Sequence, residues 1–327
     1  MGRKEMESKL ESKRVQNGLR GVVLALAWCL GTMVALGEQE ALQEGVVFKK
    51  KGSSGDTLQS EVVFLDEAGL AVVATEATTD FRSGTYRGEP VSLVAHDSVS
   101  RLTLVRVPLA SGEATAPVEL GSSLKVEEGS AFYLGVEGES SISRFVSRES
   151  EYKGQPLPLE LFRVHHAPEV KPGLGHPFFD SAGRLVAINY RKASEFGNGS
   201  FAFPVEVLKR IQGASVENGV VQRSWFGVEL LPSNPLAVVE GVRPSSPAAK
   251  AGLIEGDILI RIGPRFVQDY FDALNAFFYL REGEEATVTY VRGTEVGQTT
   301  VLPELAPVAL PAGEGSQAAK VLPGAAE

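Results

Sequence analysis

GVRPSSPAAKAGLIEGDILIRIG, residues 241–263, decides how this chain folds. It reads as a strand, a turn, a short helix and a second strand. Ser246-Pro247 opens the helix, because a serine oxygen can accept from a free first-turn N–H and proline has no N–H to waste there. Gly252 stops it, since glycine takes the left-handed conformation that ends helices. Gly256-Asp257 then turns the chain into the strand ILIRI. Working outward, DYFDALNAFFYL (269–280) is a second helical pattern, followed by the strands ATVTYVR and TTVLP. Strands and two helices from Trp225 to about Leu302 make one α+β unit.

Upstream, from about Val46 to Tyr190, the apolar residues come in short β-branched and aromatic runs: EVVFL (61–65), LAVVA (70–74), LTLVRV (102–107), AFYLGV (131–136) and RLVAINY (184–190). Turn residues such as Asp66-Glu67-Ala68-Gly69 separate them, a spacing that predicts an all-β barrel or sandwich. PVEVLKRIQ (204–212) is the first good helix, and the polar joint 213–223 leads from it to the α+β unit. From Pro303 onward the chain is rich in Ala, Pro and Gly without periodicity, which predicts a disordered tail.

The chain has 327 residues, 43% apolar and 22% charged, enough for two packed domains. Its net charge of −9 argues against a nucleic-acid partner, which requires a basic surplus to offset phosphate. Cys29 is the single cysteine, so counting excludes intramolecular disulfides, thiolate zinc sites and iron–sulfur clusters. No cofactor or metal is expected. Basic residues from Arg3 to Arg20 precede an apolar run, Gly21 to Leu36, that closes with Ala35-Leu36-Gly37. Residues 1–37 therefore read as a secretory signal, with an uncleaved anchor as the alternative. The expected address is the periplasm or cell envelope, with membrane contact only through that segment.

The 241–263 block resembles the PDZ domain of the HtrA (Deg) family of exported proteases, and the likeness runs on through the 269–280 helix and the last strands. The family's carboxylate-binding loop corresponds to Trp225-Phe226-Gly227-Val228. The resemblance implies that N–H groups of Phe226, Gly227 and Val228 converge on a peptide's terminal carboxylate while the strand through Glu229 and Leu230 pairs with the peptide. The 269–280 helix supplies the other wall. Its register is open: Ala273 or Leu274, and Phe277 or Phe278, face the ligand.

NGVVQRSWFGV (218–228), FAFPVEVLKRI (201–211), GRLVAIN (183–189) and LGSSLKVEEGSAFYLG (120–135) also resemble the family, which extends the likeness over most of residues 58–303. The implied fold class is mainly β, a trypsin-like double β-barrel followed by an α+β PDZ domain. Acyl transfer on that scaffold needs a Ser nucleophile, a His base and an Asp to orient the base. By alignment to the family, GLAVVATEAT (69–78) puts Glu76 at the His place and DSVSRLTLV (97–105) puts Arg101 at the Asp place. PGLGHP (172–177), one residue shorter than the family loop, puts Leu174 or, aligned from the other side, Gly175 at the Ser place. Opposite charges at positions that touch in the family fold predict a Glu76–Arg101 salt bridge. His165, His166 and His176 with Glu169 and Asp180 read as a polar surface cluster rather than a metal site, since adjacent strand residues point to opposite faces. Ser181 and Ser194 read as turn serines.

The expected layout is a signal or anchor at 1–37, a linker at 38–57, a trypsin-like domain without catalytic residues at 58–212, a PDZ domain at 223–303 and a tail at 304–327. The expected function is an exported pseudoprotease that binds peptide C-termini or extended apolar segments, with an adaptor, chaperone-like or regulatory role. The implied partners are protein or peptide ligands, an active HtrA relative or a second copy. The alternatives are an active serine endopeptidase with a non-standard site, and an assembly subunit whose groove is blocked.

Overall fold

The computed structural model describes residues 45–135, 142–152, 155–193, 195, 197–232 and 234–306. The 1–37 signal, Cys29, Ser194 and the tail beyond 306 lie outside the described residues. The first body contains β1 (Gly45–Lys50), β2 (Thr57–Glu61), β3 (Val63–Phe64), β4 (Leu70–Ala74), β5 (Thr79–Tyr86), β6 (Glu89–Pro90), β7 (Ser92–His96) and β8 (Leu102–Arg106). The second contains β9 (Ala131–Phe132), β10 (Ser143–Tyr152), β11 (Gln155–His165), β12 (Pro177–Phe179), β13 (Leu185–Lys192) and β14 (Gly199–Pro204). Helix α1 (Val205–Gln212) follows. The second body is one six-stranded sheet ordered β12-β13-β14-β11-β10-β9.

Strand alternation explains the packing. In β1, Val46 and Phe48 point inward and are fully buried beside Val73 and Val105, while Lys49 between them and the strand's end is exposed. This corrects the expectation that 38–57 is only a linker, because β1 pairs with β5 as an integral strand. Phe132, Phe145, Phe162 and Phe178 fill the second body. A larger core, including Leu104, Leu159, Leu185, Phe203 and Leu208, joins the two bodies.

The joint at 213–223 is not featureless either. It forms a hairpin, β15 (Val216–Glu217) and β16 (Val220–Val221), and β16 runs parallel to β7. The third body has β17 (Ser224–Trp225), β18 (Val228–Leu230), β19 (Val239–Val242), β20 (Ile258–Ile262), β21 (Arg265–Phe266), β22 (Ala286–Arg292), β23 (Glu295–Val301) and β24 (Glu304–Leu305). Its helices are α2 (Pro247–Lys250), capped by Ser246, and α3 (Tyr270–Phe278), capped by Asp269. Because β24 pairs with β17, residues 304–305 belong to this body and not to a tail. The architecture is mainly β, two β bodies followed by an α+β unit, as the sequence predicts.

Candidate functional site

The backbone brings the Glu76 and Arg101 positions together. Thr75 donates its N–H (3.0 Å) and its Oγ1 hydroxyl (2.8 Å) to the Arg101 carbonyl. The expected Glu76–Arg101 salt bridge does not form. Glu76 lies 3.7 Å from Lys50 Nζ instead, with both side chains partly exposed. Two features explain this. Strand β1 delivers Lys50, and Arg101 sits at φ +64 in a turn closed by its own N–H on the Asp97 carbonyl (2.8 Å). Tyr190 senses both charges: burial pushes its phenol up, Glu76 pushes in the same direction and Arg101 opposes it.

The 172–177 loop is held flat against β2 and β13. Leu174 accepts the Glu61 N–H at its carbonyl (2.8 Å) and packs its side chain against the joint core. Gly175 donates to the Asn189 carbonyl (2.8 Å), and the Asn189 amide donates to the carbonyls of Pro172 (3.1 Å) and Gly173 (2.7 Å). At Gly175 the φ is +82 and a Cβ would lie 2.4 Å from Ser60 Oγ, so only glycine fits. His176 Nδ1 meets Glu61 Oε2 at 2.7 Å, and the ring's other nitrogen, Nε2, is buried with no hydrogen-bond partner.

One imidazole among the described residues contacts serine hydroxyls, and it contacts two. His166 holds Ser143 Oγ on Nδ1 (2.7 Å) and Ser200 Oγ on Nε2 (2.8 Å). All three are sealed in the core, at 0%, 2% and 3% exposure for Ser143, His166 and Ser200. Both ring nitrogens are taken by hydroxyls, so no carboxylate orients the ring, and no carbonyl can approach Ser143. Burial depresses this imidazole to about 4. The polar surface cluster is thereby corrected: His165 is exposed as expected, but its neighbour His166 faces the other way into the apolar interior.

The second candidate site is better formed. Gly227 has φ +84, and a Cβ there would fall 2.2 Å from Ser246 Cβ. Ala248 donates to the Phe226 carbonyl (3.0 Å) and Arg243 to the Gly227 carbonyl (2.9 Å). In a trans peptide the carbonyl and the following N–H point in opposite directions, so the N–H groups of Gly227 and Val228 face away from the 243–248 segment. Among the described residues nothing accepts the N–H of Phe226 or Gly227. These are vacant donors on a left-handed glycine turn, a geometry suited to a carboxylate.

Among the described residues strand β18 pairs only with β19, in a two-stranded sheet, which leaves its other edge for an added strand. Glu229 points outward to Arg243 (2.9 Å), and Leu230 points into the core. Helix α3 resolves its own register. Ala273 is fully buried in the third body's core, and Phe277 lies against Phe226 with ring centroids 5.0 Å apart. Phe278 instead packs against the core of the first two bodies under Arg210, and Asn275 Oδ1 accepts the Glu160 N–H of β11 (2.9 Å). Phe278 therefore does not line the groove. Leu274, half-buried and in neither core, shares the Tyr270/Phe277 stripe at helical spacing.

The PDZ domain family matches residues 224–302. A "Probable periplasmic serine endoprotease DegP-like" of Brucella suis biovar 1 is 28% identical over 146 residues, 40% of this chain and 28% of that protein. The protein of the same name from Pseudomonas putida strain F1 is 26% identical over 219 residues, 61% of this chain and 45% of that one. The chain thus spans less than half the length of these curated relatives. Among solved structures, the HtrA-type protease AlgW with tripeptide superimposes with a TM-score of 0.53 at 21% identity, covering 81% of this chain and 94% of that one. At that identity the likeness speaks for the fold.

Proposed function

We propose that this chain, which resembles the HtrA family in its trypsin-like protease fold and its PDZ domain, grips peptide ends without cutting them. In this reading it is an exported pseudoprotease with an adaptor, chaperone-like or regulatory role. The family's named relatives are periplasmic, which supports the same address here. The observation that carries the reading is Leu174: at the position aligned with the family's nucleophile stands an apolar side chain, partly buried against the core, in a loop bonded down at both ends. Glu76 cannot replace imidazole, because a carboxylate cannot both donate to an orienting acid and accept from a hydroxyl. The vacant N–H groups at Phe226 and Gly227 and the open edge of β18 support capture of a C-terminal segment, with Phe226, Leu274 and Phe277 receiving its apolar side chain.

The test is fluorescence anisotropy with labelled peptides ending in an apolar residue, as the free acid and as the amide. The free acid binds, and amidation weakens it at least tenfold. Gly227→Ala, which forces a Cβ onto Ser246, weakens it comparably. Equal binding of acid and amide would remove the carboxylate site from the account.

A further inference from the structure

A cavity of about 290 Å³ opens between α1 and the third body, bounded by the β20–β21 turn and the end of α3. That volume is at the small end of ligand pockets. Its walls include the apolar Leu124, Pro264 and Leu280, and Leu124 is 47% exposed. Its cations are not equivalent. Lys209 is paired with Glu206 (3.6 Å), Arg281 with Glu284 (2.9 Å) and Arg210 with Asp97 (3.5 Å). Arg265 has no carboxylate partner among the described residues; its guanidinium lies on the Tyr279 ring, 3.6 Å from the centroid. The Tyr279 hydroxyl is itself buried and without a hydrogen-bond partner, an arrangement that costs free energy unless something fills it.

We infer that this cavity binds a small monocarboxylate with an apolar body, its charge on Arg265 and the Tyr279 hydroxyl, its body against Leu124, Pro264 and Leu280. Arg265 and Tyr279 line the same cavity, and the guanidinium lies on the ring that carries the unpartnered hydroxyl. Glu206, Glu284 and Glu285 on the same rim disfavour a multiply charged phosphate. The walls come from both the barrel side and the PDZ side, so a ligand held here stabilises their docked arrangement by mass action. The site is separate from the peptide groove and stands whether or not that groove binds carboxylates.

The probes are octanoate and benzoate, titrated by calorimetry and by thermal unfolding against the full chain, with inorganic phosphate as the contrasting anion. Saturable binding of at least one carboxylate and a rise in Tm are expected, with phosphate at least tenfold weaker. Arg265→Gln lowers carboxylate affinity at least tenfold and Tyr279→Phe several-fold, while the affinity for a groove peptide is unchanged in both. No saturable carboxylate binding, binding that neither substitution weakens, or phosphate binding as well as the carboxylates would overturn the inference. Tyr279→Phe removes one oxygen and keeps the ring, so it remains decisive if Arg265→Gln folds poorly.

Discussion

His176 and Glu61, 115 positions apart in sequence, meet at 2.7 Å and fasten the 172–177 loop to strand β2. Three further bonds, from Glu61 to Leu174, Gly175 to Asn189 and Asn189 to Gly173, act on the same loop. Together they tie the loop to β2 and β13. Replacing Glu61→Ala strands the imidazole, and a lost charged hydrogen bond of this kind destabilises by about 1–3 kcal/mol. Urea unfolding should show that loss, limited proteolysis should show faster cutting near Gly173, and peptide hydrolysis should not appear.

Helix α3 has two working faces, and substitutions separate them. Leu274→Ala should weaken groove peptides several-fold and leave the urea midpoint nearly unchanged. Phe278→Ala should do the reverse, because it removes a ring packed under Arg210 and against the barrel core, a truncation worth about 3–5 kcal/mol where burial is full and less here. Equal effects of the two variants on peptide affinity would mean that the helix is turned differently.

Arg210 and Asp97 form an ion pair whose side chains are 5% and 2% exposed. Burial holds the guanidinium below its usual range, and Arg210 also donates to the Phe278 carbonyl. Arg210→Ala leaves Asp97 buried without its cation, held by the Ser100 N–H and hydroxyl, a change that costs about 3 kcal/mol. Chemical denaturation should register it. A loss under 1 kcal/mol would show that water reaches the pair.

Acid should weaken the fold through two imidazoles. His96, stacked on Phe81 at 3.9 Å, and His166 both sit at about 4 because burial opposes their charged form. Unfolded imidazole titrates near 6.5, so the unfolded chain takes up protons first as pH falls. The stability from burying neutral rings is whole above about 6.5, shrinks on acidification, and is fully lost below about 4. The loss is on the order of 3 kcal/mol per ring between those limits, of which about 2 kcal/mol falls above pH 5. Urea midpoints at pH 7.5 and 5 should differ accordingly, and His166→Asn should flatten the slope.

The parts legible in the sequence were those with local punctuation. Ser246-Pro247 and Gly252 mark α2, and Asp269 marks α3, because caps and stops act within a turn. Strand β1 was hidden by the lysines around Phe48, although Val46 and Phe48 alternate as an inward face should. Strand β24 was hidden because its pairing with β17 is supplied by the fold and leaves no local pattern. At the positions aligned with the family's catalytic residues, residue identities followed from the resemblance but partners did not. Lys50 reaches Glu76, and Glu61 reaches His176, across separations that periodicity does not encode. The burial of His166 between two serines is likewise a property of β10, β11 and β14 meeting in one sheet.

The most direct test incubates the purified protein with unfolded casein and a fluorophosphonate probe, with an active trypsin-like protease alongside. The account predicts intact casein and no labelled band for this protein. Casein cleavage accompanied by labelling of one serine, and abolished when that serine is replaced, would contradict it.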